Sequence, residues 1–281
     1  MTNKIKHTNK YQQLWVACLT IICITIFSCS SVSVLKRNYK HMNKEEKKLV
    51  DSLFTKALNH EALYTLLDTL KPISSVHFYR FSLLSTNKVQ ADLAYDSLVK
   101  LQRTVNKLST KKIRFVLNPF EKEDSIYRNF ELYVVRNNKL QQTIHQYYSF
   151  YSSIGISLNT QPETVLALTE YETKYNRWRS YGYLFGYPEY AVDFFVLAGK
   201  QQDSTKQFVK RDFFAIPVFA GDRGYFTYAI PKNYQTSTVD SSIYQKAMQT
   251  LEKYKLLRKK HLTNEGLKAV KLFLRNSKKI G

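Results

Sequence analysis

The densest run of side chains that could do chemistry lies between residues 177 and 195. Arg177, Arg179, Glu189 and Asp193 flank a Gly186-Tyr187-Pro188 turn. Two arginines and two carboxylates beside tyrosine rings can bind an anionic or sugar ligand, the cations pairing with it and the rings stacking on it. The same residues can equally close a helix-turn-helix corner through ion pairs, and both readings stand at this level. A second candidate is Asp222-Arg223, set between Gly221 and Gly224 as the tip of a hairpin. A loop tip on a rigid hairpin is a good place for a binding residue, although a turn uses Gly and Asp for its backbone angles alone. The third candidate is C-terminal. Lys268, Lys271, Arg275 and Lys278 recur at spacings of three and four, which lines them along one helical stripe. Leu267, Val270 and Leu274 form an adjacent apolar stripe. Such a helix can lie on an anionic membrane surface, or dock on a core by its leucines and leave its lysines in water.

Other chemistry has no foothold. None of the six histidines is paired with another at a spacing of three or four, and none belongs to a metal motif, so no metal site and no cofactor are expected. There is no phosphate-binding glycine loop and no nucleophile elbow. Enzyme status stays open on the sequence, and a non-enzymatic binding or scaffolding role is the leading expectation.

The N-terminus says more about place than about activity. Lys4, Lys6 and Lys10 precede an uncharged apolar run from Leu14 to Ser28, the layout of a secretory signal peptide. That run is about 15 residues, shorter than the roughly 20 that span a bilayer. It ends in Ile26-Phe27-Ser28-Cys29. This segment resembles the lipobox of bacterial lipoproteins, with an aliphatic residue three before the cysteine and a small one just before it. The resemblance implies cleavage before Cys29 and acyl chains on it, and two or more chains anchor stably where one would not. The other cysteines, Cys18 and Cys23, lie inside the leader, so the mature domain has no pair for a disulfide. Because no charge falls between Leu14 and Leu35, an uncleaved membrane helix is the competing reading, and cleaved soluble export is a third. A second, shorter resemblance covers about ten residues. The Gly-Tyr-Pro turn followed by Ala191-Val192-Asp193-Phe194-Phe195 is similar to an element of uncharacterised bacterial proteins, which often carry paired cysteines where this chain has Tyr190 and Ala191. It implies no activity here.

The elements that must position these residues follow from periodicity. The composition, 44% apolar with 14% aromatic and only 8 glycines and 6 prolines, is that of a globular chain. The reading assigns residues 1–28 to the signal peptide, 29–42 to a lipidated tether and 43–281 to one α+β domain. That domain is mostly helical around a small antiparallel sheet. Asn43 with Glu46 has capping-box spacing. Helical periodicity covers 43–58, 62–70, 89–108, 140–154, 160–179, 188–196 and 240–260, with a last helix from Thr263 to 278. Strands are expected at 76–83, 112–117 and 130–135. Residues 213–230 read as a β-hairpin whose Pro217 marks an edge or a bulge.

The net charge of +21 bears on partners rather than on fold. Outside a membrane the available polyanions are lipid headgroups and acidic glycans, and nucleic acid is a poor candidate there. The sequence therefore leads to an envelope lipoprotein held by its N-terminus, with its domain outside the cytoplasm. An anionic lipid or glycan, or an envelope protein, is the expected partner. The alternatives are an envelope hydrolase or transferase acting on a glycan or lipid, and a structural subunit of an envelope assembly.

Overall fold

A computed structural model describes residues 31–122 and 124–276. Cys29 and Lys278 lie outside the described residues, as does the side chain of Arg223. The described chain opens with α1 (Ser31–His41), α2 (Lys44–Asn59) and the single turn α3 (Leu63–Leu66). Strand β1 (Ile73–Phe81), helix α4 (Lys88–Asn106) and strands β2 (Ile113–Pro119) and β3 (Arg128–Arg136) follow. Next come α5 (Asn137–Gln146), α6 (Tyr148–Ser153), α7 (Pro162–Glu170), α8 (Lys174–Leu184) and α9 (Glu189–Thr205). The hairpin of β4 (Arg211–Val218) and β5 (Gly221–Pro231) leads into α10 (Thr238–His261). A small hairpin of β6 (Leu262–Thr263) and β7 (Gly266–Leu267) precedes α11 (Ala269–Asn276). The α+β class expected from the sequence is the class found.

The sheet explains the layering. Antiparallel pairing gives the order β1-β3-β2. Every residue of β3 from Phe130 to Arg136 is buried, which requires cover on both faces. Alternation sends Leu132 and Val134 to one face, against Phe54 of α2 and Leu101 and Val105 of α4. It sends Tyr133 and Val135 to the other, against Ile144, Tyr151, Leu166 and Leu184 of α5 to α8. A bulge in β1 between Ser75 and His77 advances that strand by one residue against β3. As a result Ser75 pairs with Tyr133 and Phe78 with Glu131, and both lie on the face covered by α7 and α8. The β4–β5 hairpin is a separate two-stranded sheet whose Phe226, Tyr228 and Ile230 join the larger core. Its register shifts between Ile216 and Val218, which places Pro217 at the expected bulge.

Five local expectations change. The expected tether over 29–42 is helix α1 from Ser31 onward, and it is docked. Leu35 and Met42, seven residues apart on one face, are 1% and 3% exposed. The helix expected over 140–154 breaks at Tyr147 into α5 and α6. The helix expected over 160–179 breaks after Glu170, and Thr173 turns to an extended conformation before α8. Asp222 and Arg223 are strand residues, because the hairpin turns at Phe219-Ala220, one step earlier. There the Ala220 N–H donates to the Asn59 carbonyl at 2.9 Å, tying the tip to the end of α2. The last helix begins at Ala269 rather than at Thr263, since 262–267 is spent on the β6–β7 hairpin.

Candidate functional site

Among the places where polar residues of the described chain meet are the junction of its first and last helices and a cleft beside the central sheet. At the first, Asp51 of α2 joins both termini. Its Oδ2 accepts from the Tyr39 hydroxyl of α1 at 2.5 Å, and its Oδ1 accepts from the Val270 N–H in the first turn of α11 at 3.1 Å. A carboxylate suits that second position because the first N–H groups of a helix have no internal partner. Burial and the neighbouring carboxylate hold the Tyr39 hydroxyl protonated, its pKa raised well above that of free tyrosine. Asn38 adds a bond from Nδ2 to the Lys107 carbonyl at 2.9 Å.

Helix α11 is docked by its apolar side. Ala269, Val270, Leu272 and Phe273 are buried, and the Phe273 ring lies 5.3 Å from that of Phe54. Full burial of side chains of this size contributes roughly 1.5–3 kcal/mol each. The apolar stripe is therefore spent on the core and cannot also enter a bilayer. Lys271 and Arg275 remain exposed on α11, and Lys268, also exposed, stands just before it with Glu265 at 3.9 Å. Helix α1, which packs against α11, exposes Lys36, Arg37 and Lys40. Among the described residues, Lys36, Arg37, Lys40, Lys271 and Arg275 enter no ion pair. No sequence signal groups the two sets, because more than 200 positions separate Lys40 from Lys271.

The 177–195 corner is divided rather than gathered. Arg179 pairs with Asp193 through Nη1, which also donates to the Tyr183 hydroxyl at 2.8 Å. This pair ties α8 to α9, and Gly182 and Gly199 allow the close approach: a Cβ on Gly199 would sit 2.3 Å from the Trp178 ring. Glu189 is exposed at the start of α9. Tyr187 is turned inward, its ring stacked 6.2 Å from Phe226 and its hydroxyl pKa raised by burial. Asp222 is exposed on β5. Arg177 lines a cavity.

That cavity, about 320 Å³, opens between the β2–β3 loop, α7 and α8. Arg177 donates from Nη1 to Glu121 at 2.5 Å and to the Glu170 carbonyl at 3.1 Å, which also closes the end of α7. The buried Glu170 carboxylate accepts from the Glu121 N–H at 3.2 Å and from the Tyr181 hydroxyl at 2.6 Å. Asn129 of β3 lines the same space, and its buried Oδ1 has no hydrogen-bond partner. Phe120 supplies an aromatic wall.

Behind the cleft the same sheet face carries a polar row. Glu131 accepts from the Ser75 hydroxyl, and burial pushes its carboxyl up to about 7, with Glu61 adding to the rise and the Ser75 bond opposing it. Glu61 in turn accepts from the fully buried Lys71 at 2.5 Å. Burial lowers the Lys71 pKa, and the Glu61 charge pulls it back up. The Lys71 ammonium also lies 4.2 Å from the centre of the Phe226 ring. Sequence reading missed these residues because Glu61, Lys71, Ser75 and Glu131 are scattered over 70 positions and form no motif. Glu131 is a single polar letter inside the expected strand 130–135, and Ser75 falls just before the strand expected at 76–83.

No metal-holding group of three or more His, Cys, Asp or Glu occurs among the described residues, and no helix among them is long and apolar enough to cross a membrane. No family model, curated protein or solved structure matches the chain.

Proposed function

We propose that the chain is a cell-envelope lipoprotein, anchored by acyl chains on Cys29, whose domain is a non-enzymatic binding module resting on an anionic lipid surface. The observation that carries this reading is the joining of α1 and α11 through Asp51. Helix α1 starts two residues after Cys29, so the domain follows the anchor without a tether. The unpaired cations of α1 and α11 then stand where acyl chains would hold the chain to the bilayer. A lipid anchor and a basic patch are complementary signals, since each cation near an anionic surface adds up to about 1 kcal/mol and salt screens it.

The contact is electrostatic and does not use an inserted helix, because the apolar side of α11 is covered. An enzyme reading draws less support. Glu189, Asp193 and Asp222 do not share the cleft with Arg177, and the perturbed Glu131 does not line it. A structural subunit would present an exposed patch of aromatic side chains such as Tyr147, Tyr148, Tyr151 and Tyr183. Of these only Tyr148 is exposed, while Tyr147 and Tyr183 stack on each other at 3.7 Å.

The test is sedimentation of the mature Cys29→Ser protein, which lacks the lipid, with vesicles rich in phosphatidylglycerol. Binding is expected at low salt and should weaken by at least about tenfold when Lys36, Arg37, Lys271 and Arg275 are all changed to Glu. Binding that is unchanged by those four reversals contradicts the reading.

A further inference from the structure

We infer that the open edge of β2 is a docking site for an extended peptide, which joins the central sheet as a further strand. This goes beyond the membrane-facing surface and does not depend on it, since none of the α1 or α11 cations lines the site. The order β1-β3-β2 leaves β2 paired on one side only. Along its other side runs a groove of about 460 Å³. Residues Phe115 to Pro119 of β2 form its floor, Val105 and Asn106 of α4 one wall, and Glu163 and Ala167 of α7 the other. No residue of β1 or β3 lines it, so it follows the outer edge of β2. Helix α4 packs on one face of the sheet and α7 on the other, so a strand laid in the groove is covered on both faces, as β3 is.

The backbone shows what this edge offers. In an antiparallel pair, alternate residues turn their N–H and C=O groups away from the partner strand. Ile113 and Phe115 do so here, their N–H groups donating to the Thr110 and Ser109 hydroxyl oxygens, each at 3.1 Å. Leu117 is the next outward residue, and no bond takes its N–H or its C=O among the described residues. The Phe115 carbonyl is open in the same way, and Pro119, with no N–H, ends the edge. Unpaired groups of this kind are a template for another strand. An antiparallel segment whose middle residue faces Leu117 makes two bonds with it. The peptide N–H two residues later then reaches the Phe115 carbonyl. Residues 115–119 set the length at five, about 17 Å of extended chain.

The depth of the groove decides which strand fits. Phe115 and Val116 are 2% and 5% exposed although they belong to an edge strand. The β2 of a second copy lies equally deep between its own helices, so two such edges cannot meet. A segment without flanking layers can enter. Main-chain bonds supply affinity in this mode, and alternate side chains supply selectivity. The middle residue of the segment shares a face with Leu117, where Val105 and Phe115 complete an apolar surface. Its two neighbours meet the small Ala167 and the Arg114–Glu163 ion pair on the other face. The partner is therefore a peptide with an apolar residue between two small polar ones.

The experiment uses the full-length protein in detergent micelles. Probes are end-blocked Thr-Ser-Xaa-Ser-Thr peptides with Xaa as Val, Leu, Phe, Glu or Lys, titrated by saturation-transfer NMR to about 10 mM, well above a millimolar Kd. At least one of the three apolar probes should bind, and more tightly than the Glu and Lys probes. N-methylation at Xaa, which blocks the N–H directed at Leu117, should weaken binding by at least about tenfold, while N-methylation at the following Ser, whose N–H points away, should not. Leu117→Pro removes an N–H that the β2–β3 ladder does not use, and it should weaken binding by about fivefold or more. Ala167→Trp fills the groove from its α7 wall and should do the same, while Lys271→Glu leaves binding unchanged. Failure of all three apolar probes, preference for the charged ones, or binding indifferent to Xaa methylation and to both groove substitutions overturns the proposal. A dimer in sedimentation velocity that Leu117→Pro dissociates also overturns it, because a second copy would then occupy the edge. None of these results bears on vesicle binding, which reads Lys36, Arg37, Lys271 and Arg275.

Discussion

Glu131 is the side chain whose ionisation the fold resists most visibly, held between Ser75 and Glu61 on a strand covered from both sides. Its carboxyl rises to about 7 in the folded protein from an ordinary 4.5. The fold therefore keeps the proton over a range in which the unfolded chain releases it. Stability is undiminished by this group below about pH 4.5 and falls as pH climbs through 7. Glu131→Gln keeps an oxygen for the Ser75 hydroxyl and removes the charge. It should stabilise the protein at pH 8 by about 2–3 kcal/mol, with the gain vanishing by pH 4.5, measured by urea unfolding at both pH values. A gain equal at both would show that the carboxyl titrates normally. None of this was legible in the sequence, where Glu131 is one polar letter in Phe130-Glu131-Leu132. The perturbation comes from residues 56 to 70 positions away that a bulge and a covering helix bring together.

Helix and strand identities were largely legible, because capping, periodicity and turn residues act over a few positions. Asn43 and Glu46 form the capping box their spacing implied, and Pro162 opens α7. Ser237 with Asp240 forms a second box of the same design, which starts α10 at Thr238. What local signals could not carry was docking. The polar letters of 31–41 read as a tether, and only the Asp51 bonds and the Leu35 contact make it a helix of the core. Asp51→Ala should thus cost about 1–3 kcal/mol and raise hydrogen exchange in α1 and α11 more than in β3. Uniform exchange across all three would show that Asp51 does not join the ends. The corner before α9 is set by Gly186, at φ +75°, where a Cβ would lie 2.7 Å from the Leu70 carbonyl oxygen. Gly186→Ala should destabilise by more than about 1 kcal/mol in thermal unfolding. A neutral result would mean that α3 and the corner can part without loss.

At the scale of the whole molecule, the fold packs its first and last described helices against each other and leaves Lys36, Arg37, Lys40, Lys271 and Arg275 without ion pairs among the described residues, while a polar cleft opens beside the central sheet. The 177–195 cluster read from the sequence is divided between these structural needs: Arg179 and Asp193 hold α8 to α9, Tyr187 fills the core, and Arg177 alone faces the cleft. Charge and the leader residues pointed to an anchored, basic domain. They could not say where the cations would stand, because α1 and α11 come together only through tertiary contact. The proposed lipid anchor is the premise of the proposed membrane-facing surface, and Cys29 is its single point of failure. The direct measurement is membrane fractionation with intact mass of the full-length protein and its Cys29→Ala form expressed in a bacterium. The wild type should sit in the membrane fraction with acyl mass on a chain beginning at Cys29. The variant should lose that mass and stop maturing before residue 29. A Cys29→Ala protein that matures normally and stays membrane-bound would contradict the account.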